Sequence, residues 1–139
     1  MKVIAKRLIL NTKGENDIIN ITDDVNKAIE ESKLKNGIVT IFVPGSTGAI
    51  TTIEYEPGLL KDFPAMLERV APKSAEYEHH KRWHDWNGHS HVRASLLGAS
   101  LTVPFINGML TLGTWQQIVF VELDVRKRER NLTLQMIGD

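Results

Sequence analysis

The fold of this chain is decided by a stretch in its last third, residues 100–112, which reads SLTVPFINGMLTL. Two runs rich in apolar and β-branched residues flank the dipeptide Asn107-Gly108. Asn-Gly between two such runs is the strongest short signal for a β-hairpin, because both residues tolerate the positive φ angles of a type I′ turn. The stretch therefore predicts two antiparallel strands that meet at residues 107–108.

Further elements are predicted outward from this hairpin. Two helices are expected in the first half, one beginning at Thr22 with two acids in its first turn, and one over residues 59–70. Apolar runs and alternation predict strands over residues 3–10, 18–21, 37–43, 49–55, 115–125 and 132–137. Paired strands with two main helices indicate an α+β fold with a largely antiparallel sheet, and 139 residues suit a single domain, 1–139.

Composition excludes several classes of function. Lys plus Arg equals Asp plus Glu at 17 each, which is unlike a general nucleic-acid binder. The absence of cysteine excludes disulfides, thiolate catalysis and cysteine-based zinc sites. No apolar run approaches the ~20 residues of a membrane-spanning helix, and the N-terminus does not have the pattern of a signal peptide. We therefore expect a cytoplasmic protein with no membrane and no nucleic-acid partner.

All five histidines lie in one stretch, residues 79–91, which reads HHKRWHDWNGHSH. The region around it, residues 73–90, has almost no apolar periodicity and is predicted to be a surface loop. Two residues apart in extended backbone, His89 and His91 would point to one side. The pattern predicts a divalent metal, such as Zn²⁺, held by His79, His89 and His91, with Asp85 as a further acid.

Not every histidine is needed for such a site, and His80 and His84 are predicted to be bystanders. The alternative is a solvated loop whose histidines cap helices or bond to the backbone. The clustering of five histidines around Asp85 favours metal binding, acid–base chemistry or both.

Three other features carry candidate chemistry. Ser46 and Thr47, in the turn PGSTG at residues 44–48, offer hydroxyls and N–H groups that suit a phosphate or carboxylate, although an ordinary turn fits equally well. Arg93 would share the face of His91 in a continued strand and pair with a phosphate. Glu54, inside a β-branched strand, faces either solvent or a site.

The stretch GTWQQ, residues 113–117, follows the hairpin. Thr114 and Gln116 share one face and could hydrogen-bond a ligand. Trp115 is interpreted as a core or interface residue.

Several short motifs together resemble the YjbQ family of small proteins, commonly labelled secondary thiamine-phosphate synthases. They are NGHSH at residues 87–91, SLLG at 95–98, LTVP at 101–104, NG at 107–108 and LGTWQ at 112–116. The resemblance implies a compact α+β fold with β-sandwich character, a homotrimer with sites near subunit boundaries, and thiamine-phosphate synthase activity of an accessory kind.

The resemblance also assigns residues. His79, His91 and Glu54 match family positions, as do Thr114, Trp115 and Gln116. Combined with the chemistry above, this predicts His91, Glu54 and Asp85 as catalytic residues. The predicted substrate-binding residues are Ser46, Thr47, Asn87, Arg93, Thr114, Trp115 and Gln116.

Three functions follow as hypotheses. The first is a transferase that acts on a phosphorylated small molecule, with a divalent metal (Zn or Mg) and no organic cofactor. The second is a metal-dependent hydrolase whose ion is held by the predicted histidines and Asp85. The third is a non-enzymatic, trimeric protein that binds a metal or a ligand.

Overall fold

The computed structural model describes all 139 residues and contains eight strands and four helices. In chain order they are β1 (Lys2–Asn11), β2 (Ile18–Asn20), α1 (Thr22–Ser32), β3 (Gly37–Phe42), β4 (Gly48–Ile53), α2 (Leu59–Val70), α3 (Glu78–Trp83), α4 (Gly88–Leu97), β5 (Ser100–Ile106), β6 (Met109–Leu110), β7 (Gln117–Glu122) and β8 (Glu129–Gly138). The predicted α+β class is confirmed.

The strands form two antiparallel sheets. A five-stranded sheet has the order β1-β8-β3-β5-β6, and a three-stranded sheet has the order β2-β7-β4. The predicted hairpin is β5–β6, where Phe105 pairs with Leu110 and Ile106 with Met109. Asn107 and Gly108 both have positive φ, 54° and 76°, as a type I′ turn requires.

The small sheet lies between the large sheet and the helices α2 and α4, because both of its faces are apolar; α1 packs on the side of the large sheet. Ile118 and Phe120 of β7 pack on Val39, Leu134 and other residues of the large sheet. The alternate residues Val119 and Val121 pack in a second cluster with Leu67 of α2 and Ala94 of α4. Side chains on a strand alternate between faces, so one central strand contributes to both clusters.

The predicted surface loop over residues 73–90 is wrong, since this region contains α3 and the first turn of α4. The buried side chains of α4 include His89, Ser90, Arg93 and Ala94, which have helical spacing but are mostly polar or small. A search for apolar periodicity therefore misses the helix. The chain has four helices rather than the two main ones expected, and none of them is long and apolar enough to cross a bilayer.

Candidate functional site

A cavity of about 490 Å³, called here the polar cavity, opens where three connections converge. They are the turn between β3 and β4, the segment between α3 and α4, and the loop between β7 and β8. Its lining is almost entirely polar and consists of Gly45, Ser46, Thr47, Asp85, Asn87, His91, Asp124, Val125, Arg126 and Arg128. It thus combines a histidine, two carboxylates, two guanidinium groups and two hydroxyls.

Two histidines from different helices meet at this cavity. The rings of His79 on α3 and His91 on α4 have their centroids 4.5 Å apart. The Nδ1 atom of His79 lies 3.1 Å from Oδ1 of Asp85, but it is buried and no hydrogen bond is formed. A buried polar atom without a hydrogen bond is uncommon in a folded protein, so the His79 ring is held here by its neighbours rather than by a bond at this atom.

The environment of His91 favours its neutral form. Burial and the neighbouring His79 ring lower the pKa of His91, although Asp85, Asp124 and a hydrogen bond to the Ser46 backbone act in the opposite direction. A neutral imidazole has one nitrogen that accepts a proton and one that donates. His91 is therefore ready to act as a base near neutral pH.

Asp124 is the buried anion of the polar cavity, with a side chain only 3% exposed. Its carboxylate accepts hydrogen bonds from the Val125 N–H at 2.8 Å, from Nη1 of Arg128 at 2.7 Å and from the Thr47 hydroxyl at 3.2 Å. Burial alone would raise the pKa of Asp124, but these partners together with Asn87 lower it. Asp124 is consequently ionised at neutral pH.

Asn87 lies between the two carboxylates of the cavity. With its amide nitrogen turned toward Asp85, it donates to both carboxylate oxygens at 2.9 and 3.1 Å. In the opposite orientation it donates to Oδ1 of Asp124 at 3.4 Å. In either orientation the amide links α4 to an acidic neighbour.

A buried ion pair between Arg130 and Glu122 supports the polar cavity through Thr47. Nε of Arg130 donates to Oε1 of Glu122 at 2.9 Å, and Nη2 donates to the other carboxylate oxygen. Nη2 also donates to the Thr47 hydroxyl at 2.8 Å. Since the Thr47 hydroxyl is engaged by Arg130 and Asp124, Thr47 holds the turn in place and the exposed Ser46 is left to meet a ligand.

The structure brings together part of the predicted site. Five of the predicted residues line the polar cavity and His79 lies against one of them; the five are Ser46, Thr47, Asp85, Asn87 and His91.

His89 and Arg93 lie elsewhere, and the prediction that they share a face with His91 is wrong. Residues 88–97 are helical, and residues two apart on a helix point ~200° apart. His89 is fully buried with Nε2 2.8 Å from Oε2 of Glu15, and Arg93 is buried with Nε bonded to the Ala71 carbonyl at 3.0 Å. Both hold α4 against the body of the protein.

The three predicted metal ligands therefore do not converge. No group of three or more His, Asp or Glu side chains is arranged to hold a metal ion. The residues as they stand do not fit a three-ligand metal site, and metal binding stays a prediction.

The remaining predicted residues line other cavities. Glu54, Thr114 and Trp115 line a separate cavity of about 310 Å³, and all three are exposed. The side chain of Gln116 accepts from the Gly113 N–H at 3.1 Å and donates to Thr52 at 3.3 Å. These residues are not part of the polar cavity in a single chain.

Sequence reasoning misses Asp124, Arg126 and Arg128, because a run of charged residues between two strands is typical of a solvated turn. The only local signal is an acid directly after a strand, followed by alternate arginines. Their importance depends on contacts with Thr47 and Asn87, which are distant in sequence.

Comparisons with known proteins agree on one family. Residues 6–139 match the family described as "UPF0047 protein YjbQ-like". A UPF0047 protein of Methanothermobacter thermautotrophicus is 44% identical over 99% of this chain and 94% of its own length. The UPF0047 protein YugU of Bacillus subtilis is 34% identical, over 97% of this chain and all of its own length.

Solved structures agree as well. A YbjQ-like protein of unknown function from Sulfolobus solfataricus superposes with a TM-score of 0.94 and 37% identity, covering 99% of each chain. An uncharacterised YjbQ/UPF0047 protein from Clostridium acetobutylicum gives a TM-score of 0.87 and 35% identity, covering 95% of this chain and 99% of its own.

Replacing Arg130 with Met leaves the Glu122 carboxylate buried without a counter-charge. We expect the free energy of unfolding to fall by about 3–5 kcal/mol, measured by urea denaturation. The matched control is Arg126→Met, because Arg126 is exposed at the cavity rim; its effect should stay within about 0.5 kcal/mol. Equal effects of the two substitutions would show that the ion pair does not stabilise the fold.

The titration of His91 can be followed by NMR through its ring carbon-bound protons. We expect its midpoint below the ordinary value of 6.5, because burial and the His79 ring lower the pKa. His79→Gln should raise the midpoint by removing a neighbouring ring, whereas Asp85→Asn should lower it further by removing a carboxylate. A midpoint above 6.5, or shifts in the same direction for both variants, would contradict this description of the cavity.

Proposed function

Since this chain belongs to the UPF0047 family of YjbQ-like proteins, we propose that it is a transferase for phosphorylated small molecules and that the polar cavity is its active site. The observation that carries the proposal is the meeting of His91 with two arginines and the hydroxyl-bearing turn in one cavity. The reaction to test first is that of thiamine-phosphate synthases, as the family resemblance implies. It joins a pyrimidine methyl diphosphate to a thiazole phosphate.

The phosphate groups would lie on the cationic side of the cavity. Arg126 is exposed at the rim, and Arg128 uses Nη1 for Asp124, which leaves other N–H donors of its guanidinium for a ligand. Guanidinium groups bind phosphate oxygens with a matching planar geometry. The Ser46 hydroxyl lies on the same lining and would hold a second phosphate.

In the proposed transfer, the bond between the methylene carbon and the diphosphate oxygen breaks, and its electron pair leaves with the diphosphate. The thiazole nitrogen supplies the electron pair of the new carbon–nitrogen bond. Negative charge develops on the leaving diphosphate, and fixed guanidinium groups stabilise such charge best where water is scarce. His91, in its neutral form, accepts a hydrogen bond from the bound ligand and holds it in place for the transfer.

The test supplies purified protein and Mg²⁺ with the two precursors and detects the joined product by chromatography. We expect His91→Ala and Arg126→Met each to lower turnover by about a hundredfold. Arg69→Met is the matched control, since Arg69 is exposed on α2 and does not line the cavity, and it should retain full turnover. Release of phosphate without a joined product would contradict transfer and indicate a hydrolase, and absence of turnover in the unaltered protein would contradict the proposal outright.

We also propose that the protein assembles as a homotrimer, which the family resemblance implies. The support within the chain is the outer face of the large sheet, which no other element covers. Six apolar side chains on it are exposed by 41% or more, namely Val3, Ile9, Ile38, Phe42, Ile106 and Met109. A patch of this kind on a small protein commonly marks a protein–protein contact.

Light scattering coupled to size exclusion would measure the mass of the assembly. We expect the mass of three 15.7 kDa chains for the unaltered protein and a smaller species for Phe42→Glu, because a buried unpaired carboxylate opposes association. Val70→Glu, at an exposed apolar position at the end of α2, is the matched control and should remain trimeric. A monomer in the unaltered protein, or a trimer that tolerates Phe42→Glu, would contradict this interface.

A further inference from the structure

A second cavity, about 590 Å³ in volume, lies on the other side of the segment that joins α3 to α4. Along this segment, Asp85 and Asn87 line the polar cavity, whereas His84 and Trp86 line the second one. The second cavity, called here the aromatic cavity, has the volume of a small-molecule site. The transferase proposal makes no use of it.

Three rings form its wall. The centroid of the His80 ring lies 5.3 Å from that of Tyr77 and 5.2 Å from that of Trp86, with interplanar angles of 62° and 56°. Tilted and edge-on arrangements of this kind leave ring faces free for a further ring. The indole of Trp86 is 65% exposed at the mouth of the cavity, so it has a face available.

Two polar atoms of these rings already have partners within the protein. The Tyr77 hydroxyl donates to the Pro72 carbonyl at 2.7 Å, and Nε2 of His80 accepts the Gly88 N–H at 2.8 Å. A Cβ atom on Gly88 would lie 2.6 Å from Cβ of Tyr77, so glycine is what allows α4 to begin this close to the wall. The wall is thus a fixed, largely apolar surface.

The backbone conformation of Trp86 is unusual for a bulky residue. Trp86 has φ of 58°, in the left-handed region that is costly for a bulky residue. His84 also has positive φ, but it is the C-cap of α3, where that conformation is ordinary. Trp86 is neither a cap nor part of a tight turn with glycine, and its conformation keeps the indole at the mouth of the aromatic cavity.

Both lysines of the lining are paired, since Nζ of Lys73 bonds to Glu15 and Nζ of Lys81 to Glu78, at 2.5 and 3.1 Å. The remaining carboxylate of the lining, Glu76, is exposed to solvent. The aromatic faces are therefore the part of the lining best suited to hold a ligand. We propose that the aromatic cavity is a second ligand site, which binds a planar, uncharged aromatic or heteroaromatic ring by stacking on Trp86.

The test uses 2-naphthol as the planar probe and decahydro-2-naphthol as its saturated counterpart. Binding is followed in the full chain through the three indole N–H signals in two-dimensional NMR. We expect 2-naphthol to shift the Trp86 signal while the Trp83 and Trp115 signals stay in place, and to bind about tenfold more tightly than the saturated probe. Equal binding of the two probes, or no shift of the Trp86 signal, would overturn the proposal.

Variants separate stacking from general hydrophobic adsorption. Trp86→Leu should weaken binding of 2-naphthol about tenfold, while Trp86→Phe should retain most of it. Trp83→Leu is the matched control, because Trp83 is 61% exposed on the adjacent helix and does not line the cavity. Equal weakening by Trp83→Leu and Trp86→Leu would overturn the proposal; thermal melting confirms that each variant is folded.

Discussion

The ion pair between Glu122 and Arg130 is the contact on which the site depends. Glu122 ends β7 in the small sheet and Arg130 is the second residue of β8 in the large sheet, so the pair joins the two layers at one end. Both side chains are almost fully buried, and burial of charge is tolerable only when every polar atom finds a partner. Here the Thr12 hydroxyl and the Asp124 N–H complete the carboxylate, and the Thr47 hydroxyl meets the guanidinium. The turn after β3 and the loop after β7 are thereby fixed relative to each other, which creates the polar cavity.

The sequence predicts most of the sheets and only part of the helices, for a physical reason. The Asn107-Gly108 turn and the apolar strands depend on local conformational preference and alternation, and both signals lie in consecutive residues. Helix α4 buries His89 and Arg93, and these residues are stabilised inside by Glu15, Glu68 and the Ala71 carbonyl. Those partners are 22 or more residues away along the chain, so no local pattern marks the buried side of this helix.

The candidate site likewise contains residues that the sequence predicts and residues that it does not. The sequence alone is enough to select four residues of the site, Ser46, Asp85, Asn87 and His91. Their side chains are reactive or form hydrogen bonds, and they lie in polar segments where apolar periodicity stops, a pattern that indicates a site. Asp124, Arg126 and Arg128 could not be selected from the sequence. Their charged turn acquires a role only when the fold brings it to Thr47 and Asn87. The converse holds for Glu54 and the GTWQQ stretch: their chemistry suits a ligand, but the topology places them at other cavities.

Helices α3 and α4 also explain how a short segment can serve two cavities. Because α3 ends at Trp83 and α4 begins at Gly88, only four residues connect them, and successive side chains fall on alternate sides. His80 below the segment bonds the first N–H of α4, which ties the aromatic wall to the helix that carries His91. A ring stacked on Trp86 would restrict the same backbone that presents Asp85 and Asn87 to the polar cavity. Any ligand effect between the cavities would therefore act through this segment and would not require movement of either sheet.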